Sequence, residues 1–261
     1  FALRLLFSEA MARGGEWADT FLNRLQTLQQ TYNVAHYPVA NLELQHFVAQ
    51  TNRYTGQTAK SAELYKACIE ESDRLNYTGY GYVEMLIGIT FNYMLLADYE
   101  KAYYCIVRAE ALAGVEKNPL QLATVYYYRA GIDRQLSANH DAVLCLVKAS
   151  RLAKQSGELM LIVAIAEELA STLYSIGKER YAIRIYEKAL TEGEHAYSSI
   201  LECAESLFSA YYQRLSLPDM KRVFTIMQAT MHHWSNKGYD ALFLRQQLII
   251  AMMEDNAALA N

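Results

Sequence analysis

Few residues in this chain are spaced for bond-making chemistry. Glu167-Glu168 is a carboxylate pair, the residue type used for general acid–base work. Neighbours on a helix diverge by about 100°, so the two cannot converge on one atom. The pair reads as an acidic spot, solvated or lining a groove. His232-His233-Trp234 resembles a metal or aromatic box, but its imidazoles diverge in the same way. No carboxylate or cysteine stands at ligand spacing on that helix. These residues read as partly exposed polar groups beside a tryptophan anchored in an inter-helix seam. Gly79-Tyr80-Gly81 is too short for a dinucleotide loop, and no strand precedes it. Cys68, Cys105, Cys145 and Cys203 lie far apart in apolar helical patterns and read as reduced, mostly buried thiols. No nucleophile elbow or P-loop appears. No catalytic residue, metal site or cofactor is therefore assigned, and the segment is read as a non-enzyme.

The elements that hold these residues are helical. The 261 residues include only 3 prolines and 12 glycines, too few for a turn-rich β fold. Apolar residues make up 52% and charged residues 20%, a composition that folds. The net charge is −4 and no basic cluster occurs, which argues against nucleic acid. No uncharged run reaches the roughly 18 apolar residues of a membrane span. Reduced thiols suit the cytoplasm.

The pattern small, large four later, small three later recurs down the chain. It occurs at Ser61–Tyr65–Cys68, Ala102–Ile106–Ala109, Ala142–Leu146–Ala149 and Ala182–Tyr186–Ala189. A fifth copy is placed at Arg222–Ile226–Ala229, giving spacings of 41, 40, 40 and 40. Residues i, i+4 and i+7 share one helix face. The small ones admit a neighbouring helix, and the large one fills the gap. Glycines 14, 15, 56, 79, 81, 114, 157, 177, 193 and 238 fall where the period puts turns, while Gly88 and Gly131 read as close helix contacts. Helix pairs are predicted at 1–12/16–31, 39–54/57–75, 82–96/98–114, 119–136/138–156, 158–176/178–194 and 197–214/219–237. A final helix runs from 239.

Asp98-Tyr99-Glu100-Lys101-Ala102 and Tyr181-Ala182-Ile183-Arg184-Ile185-Tyr186-Glu187-Lys188-Ala189-Leu190 resemble the second helix of a tetratricopeptide repeat. The period departs from that family, about 40 here against 34, and longer helices absorb the difference. Such variants resemble the repeats of bacterial peptide-sensing regulators and large transcription activators. The resemblance implies an all-α, right-handed α–α superhelix of about six hairpins over residues 1–238, capped by 239–261. It also implies that the first helices of the pairs line an inner groove.

The side chains expected in that groove are His46, Gln50, Arg53, Tyr54, Tyr127, Tyr128, Arg134, Glu167, Ser171, Tyr211 and Arg214. Tyrosine and arginine bring contact area together with a polar end. Glu43, Glu84, Phe91, Met94, Gln135, Glu168 and Tyr174 lie on the same helices. Tyr126-Tyr127-Tyr128 cannot all point one way, so at least one is expected to be buried. Family members that take peptide C-termini use a Lys/Asn clamp, and no such set stands here.

Residues 254–261 resemble the signalling helix ahead of a GGDEF-type diguanylate cyclase domain. The chain begins at Phe1 and its last helix outruns the stack, so a larger parent is expected. The resulting expectation is a non-catalytic bacterial sensory domain. It binds a protein, peptide or small ligand and controls a C-terminal output, with a homodimer through the last helix. The alternatives are a protein–protein scaffold and the ligand-sensing region of a transcription activator.

Overall fold

The computed structural model describes residues 17–193, 197–234 and 240–259. Among them stand twelve α-helices and no strand. They are α1 (Trp17–Thr31), α2 (Pro38–Tyr54), α3 (Thr58–Arg74), α4 (Tyr80–Leu95), α5 (Tyr99–Glu116) and α6 (Pro119–Gln135). The chain continues through α7 (Asn139–Ser156), α8 (Leu159–Ser175), α9 (Glu179–Glu192), α10 (Tyr197–Gln213), α11 (Leu217–Trp234) and α12 (Asp240–Leu259). A short 3₁₀ turn at Val34–His36 precedes α2 and was not foreseen. Every described boundary falls within three residues of its predicted place. The helix predicted at 1–12 and the glycines at 14, 15 and 238 lie outside the described residues.

Local chemistry sets these ends. Asn118 Oδ1 accepts from the backbone N–H groups of Leu120 and Gln121, and Pro119 opens α6 without an orphan donor. Asp98 accepts from Lys101 N–H at 3.2 Å and so caps α5. The turns inside the pairs share one device, a residue of positive φ at Gly56, Ala97, Ser137, Gly177 and Leu215. Four of them carry a backbone bond reaching five residues back, as from Gln57 N to Asn52 O and from Asp98 N to Tyr93 O, both at 2.9 Å. This is the Schellman closure that satisfies the last helical carbonyls. Two turn assignments need correction. Gly81 lies in the first turn of α4 and Gly114 in the last turns of α5. A helix tolerates glycine near its ends, where few hydrogen bonds depend on it.

The chain divides into two compact units at Ser137 and Ala138. In the first, α1 to α6 stack in sequence around Tyr65, Tyr82, Met85, Leu86, Ile106 and Ile132. A smaller cluster of Phe21, Leu25, Val34, Leu44 and Phe47 joins α1 to α2. Gly88 and Gly131 are contact glycines as expected. A Cβ on Gly88 would lie 2.4 Å from Tyr65 Cζ, and one on Gly131 2.8 Å from Met94 Cε. In the second unit, Leu201, Cys203, Leu207, Phe208, Met220, Val223 and Met227 form the centre.

All twelve residues of the first four repeat triplets are buried. The fifth triplet is one residue out of register. Arg222 is exposed and pairs with Glu187, while Val223 and Met227 are buried on the same helix. Burying the Arg222 guanidinium in this apolar seam would be costly, and α11 turns its Val223–Met227 face inward instead. The repeat spacing there is 41 rather than 40.

Candidate binding face

The predicted groove residues fall in both compact units. In the first unit, the first helices α2, α4 and α6 lie side by side. Where the C-terminal end of α2 nears the middle of α6, four of the predicted residues meet. The Arg53 guanidinium sits 4.4 Å from the centroid of Tyr54 and 5.0 Å from that of Phe91. Phe91 meets Tyr128 edge-on at 5.9 Å, and Tyr128 meets Tyr127 edge-on at 5.4 Å. Arg53 also hydrogen-bonds the Tyr128 hydroxyl. The three tyrosines 126–128 are all half-buried, where full burial of one was expected.

The electrostatics of this cluster have a clear cause. Burial alone would lower the Arg53 pKa, but the phenols of Tyr65, Tyr54 and Tyr128 outweigh it, and the group stays charged. Burial pushes the Tyr128 phenol up. No carboxylate among the described residues pairs with Arg53, and its enclosed Nε has no acceptor. Toward the N-terminal ends of the same helices the sign reverses. Glu43 accepts from the Tyr77 hydroxyl at 2.8 Å, and Glu84 accepts from the Gln121 amide at 3.3 Å.

Several expected residues lie elsewhere. His46 is 4% exposed, stacked on Phe47 at 5.5 Å and tilted against Tyr65 at 5.8 Å. It is a core residue, because the i+4 position from Leu42 faces inward on α2. Gln50 and Arg134 are half-buried on α2 and α6. In the second unit, Glu167 accepts from Ser206 at 3.1 Å, and Ser171 and Ser206 both bond Tyr186. Tyr211 is buried and donates to Glu187 on α9 at 2.6 Å, so it points to the second-helix side rather than to the first-helix face. Arg214 opens the turn after α10 and pairs with Glu179 at 3.5 Å.

One feature of the first unit has no repeat-wide signal in the sequence. On α3, α4 and α5 an open hollow of about 700 Å³ is lined by Ile69, Leu86, Ile89, Tyr93, Tyr104 and Arg108 among others. Beside it Asp73 accepts from Tyr82 at 2.5 Å and from Arg108 at 2.6 Å. Among the described residues no three His, Cys, Asp or Glu side chains converge as a metal site requires. His233 and Trp234 have no described side chains. No described helix is long and apolar enough to cross a membrane.

No protein-family model matches the chain, and no curated protein does. Solved structures do. A Podosopora anserina protein assigned as a kinesin light chain, with nearly identical TPR-like repeats, is 17% identical. It covers 76% of this chain and 98% of its own, with a TM-score of 0.58. A Rap protein complexed with competence and sporulation factor is 15% identical, covers 91% of this chain and 71% of its own, and has a TM-score of 0.63. The apo form of RapI is 12% identical over 98% of this chain and 100% of its own, also with a TM-score of 0.63. At these identities the likeness establishes architecture: the chain is an all-α protein with the fold of tetratricopeptide-like helical repeats.

Proposed function

We propose that the α2–α4–α6 face binds a peptide or an extended segment of a partner protein, and that this recognition, not catalysis, is the chain's work. Arg53 carries the reading. It is a largely enclosed cation held against the rings of Tyr54 and Phe91, with no counter-ion among the described residues and an unused Nε. A buried charge is stable only when paired. A carboxylate on the ligand supplies the partner, and the guanidinium fork suits it. The aromatic rings offer rigid apolar contact around it.

Glu43 and Glu84 give the opposite end of the face the opposite sign. On α2, ten residues separate Glu43 from Arg53, about 15 Å along the axis. That is the span of four or five extended residues. A short segment with an acidic group at one end and a donor or cation at the other fits this polarity. The Rap structure bound to competence and sporulation factor supports ligand recognition as a use of this architecture.

The test is selection of a random twelve-residue phage-displayed peptide library on the full chain. Binders are expected to carry an aspartate, glutamate or free C-terminal carboxylate and to lose binding to Arg53→Gln. Binders that ignore both Arg53→Gln and Tyr54→Ala would overturn the reading. The finer reading, a cytoplasmic bacterial input module that controls cyclic-di-GMP synthesis, rests on the resemblance of residues 254–261 to a signalling helix. It fails if the encoding gene holds no such output domain.

A further inference from the structure

The last helix is two-sided in an unusual way. Its inner face packs Leu242, Phe243, Ile249, Ile250 and Met253 on the second unit, with Phe243 5.8 Å from Phe224. Arg245 reaches Glu205 on α10 at 2.9 Å, and Glu254 pairs with Lys221 on α11. In the middle of that seat lies Gln246, 1% exposed, whose amide nitrogen and oxygen both have no hydrogen-bond partner. The outer face is apolar instead. Leu244, Leu248 and Met252 are 67%, 61% and 57% exposed. Ala241 and Ala251 are exposed beside them.

A helix face that meets solvent is ordinarily polar. This one buries an amide and displays leucines. Ala241, Leu244, Leu248 and Ala251 follow the 3-4-3 spacing of a coiled-coil seam. Such a seam is completed by another helix.

We infer that the occupant is α12 of a second copy, lying antiparallel about a twofold axis at Leu248. That register sets Leu248 on the partner's Leu248 and Leu244 on the partner's Met252, and a twofold pairing needs only one self-complementary patch. Charge favours this direction. Arg245, exposed although paired with Glu205, is then one turn from the partner's exposed Asp255, whereas a parallel pair places Asp255 against Asp255 and Asp240 against Asp240. One helix pair buries less than the roughly 1,200–2,000 Å² of a standard stable interface. The dimer is therefore weak and concentration-dependent.

Sedimentation velocity on the full chain, from low micromolar to hundreds of micromolar, tests this independently of the peptide face. Wild type is expected to shift from monomer to dimer, and Leu248→Asp to weaken the dimer at least tenfold with unchanged helical circular dichroism. Direction is read by oxidation of variants with one added surface cysteine, the four native thiols being buried. A mixture of Leu244→Cys and Met252→Cys should cross-link as the mixed pair in preference to either homo-pair. Monomer at every concentration, a dimer indifferent to Leu248→Asp, or preferred homo-pair cross-links would each overturn the proposal.

Discussion

Arg53 on α2 lies 5.0 Å over the ring of Phe91 on α4, so one cation ties two successive first helices together. Phe91→Ala removes that contact and the edge-on contact with Tyr128. A cation–π pair is worth about 0.5–2 kcal/mol, and a half-buried ring adds its own burial. Thermal unfolding should show a loss of about 2 kcal/mol. Arg53→Lys should retain the charge but lose the guanidinium fork, and so weaken selected peptides without lowering stability as far.

Gly88 faces Tyr65 across the α3–α4 seam with no room for a methyl group, since the nearest ring atom would stand 2.4 Å from a Cβ. Overpacking of this kind costs about 1–3 kcal/mol. Gly88→Ala should lower the denaturation midpoint accordingly. Tyr65→Leu in the same chain should recover part of the loss, a coupling that a double-mutant cycle measures.

Ala97 and Leu215 hold left-handed backbone at φ 57 and 54, where Gly56 and Gly177 stand in the equivalent turns. A side chain there costs about 1–2 kcal/mol, part of which the greater freedom of unfolded glycine returns. Ala97→Gly and Leu215→Gly should each stabilise the fold by a few tenths to about 1 kcal/mol, read as a higher Tm. Neither change removes a turn hydrogen bond.

Burial raises the Asp73 carboxyl, but hydrogen bonds from Arg108 and Tyr82 more than offset it and leave the pKa below its ordinary 3.8. A carboxyl depressed in the fold adds stability above its unfolded pKa and loses it as pH falls through the folded one. The contribution of Asp73 is therefore complete at neutral pH, begins to fall as pH nears the ordinary 3.8, and is gone only below the depressed folded value. Urea unfolding should show a shallower acid decline in Arg108→Gln than in wild type.

Burial pushes the thiol of Cys68 up to about 12 and that of Cys105 up to about 11, and raises Cys203 as well. The thiolate is the reactive form. Native protein at pH 8 should react negligibly with a chromogenic disulfide reagent. All four thiols should react once guanidinium unfolds the chain. Rapid reaction in the native state would contradict the burial of these residues.

The sequence by itself determined the helices and most of their packing faces. A forty-residue repeat of small–large–small triplets leaves a helix one way to bury its stripe, so Ser61, Ala102, Ala142 and Ala182 could be placed inside from spacing alone. Tertiary structure decided what spacing cannot resolve. Arg222 occupies a triplet position, yet an apolar seam makes burial of its charge costly, and α11 buries Val223 instead. His46 sits on a predicted groove helix, but its ring fits between Phe47 and Tyr65. Tyr211 looked like a groove anchor, and the acceptor for its hydroxyl, Glu187, stands on the other side. The meeting of Arg53, Phe91 and Tyr128 joins residues 38 and 37 positions apart on three helices. Such a contact depends on the offset between neighbouring helices, which the packing of side chains sets and helical periodicity does not encode.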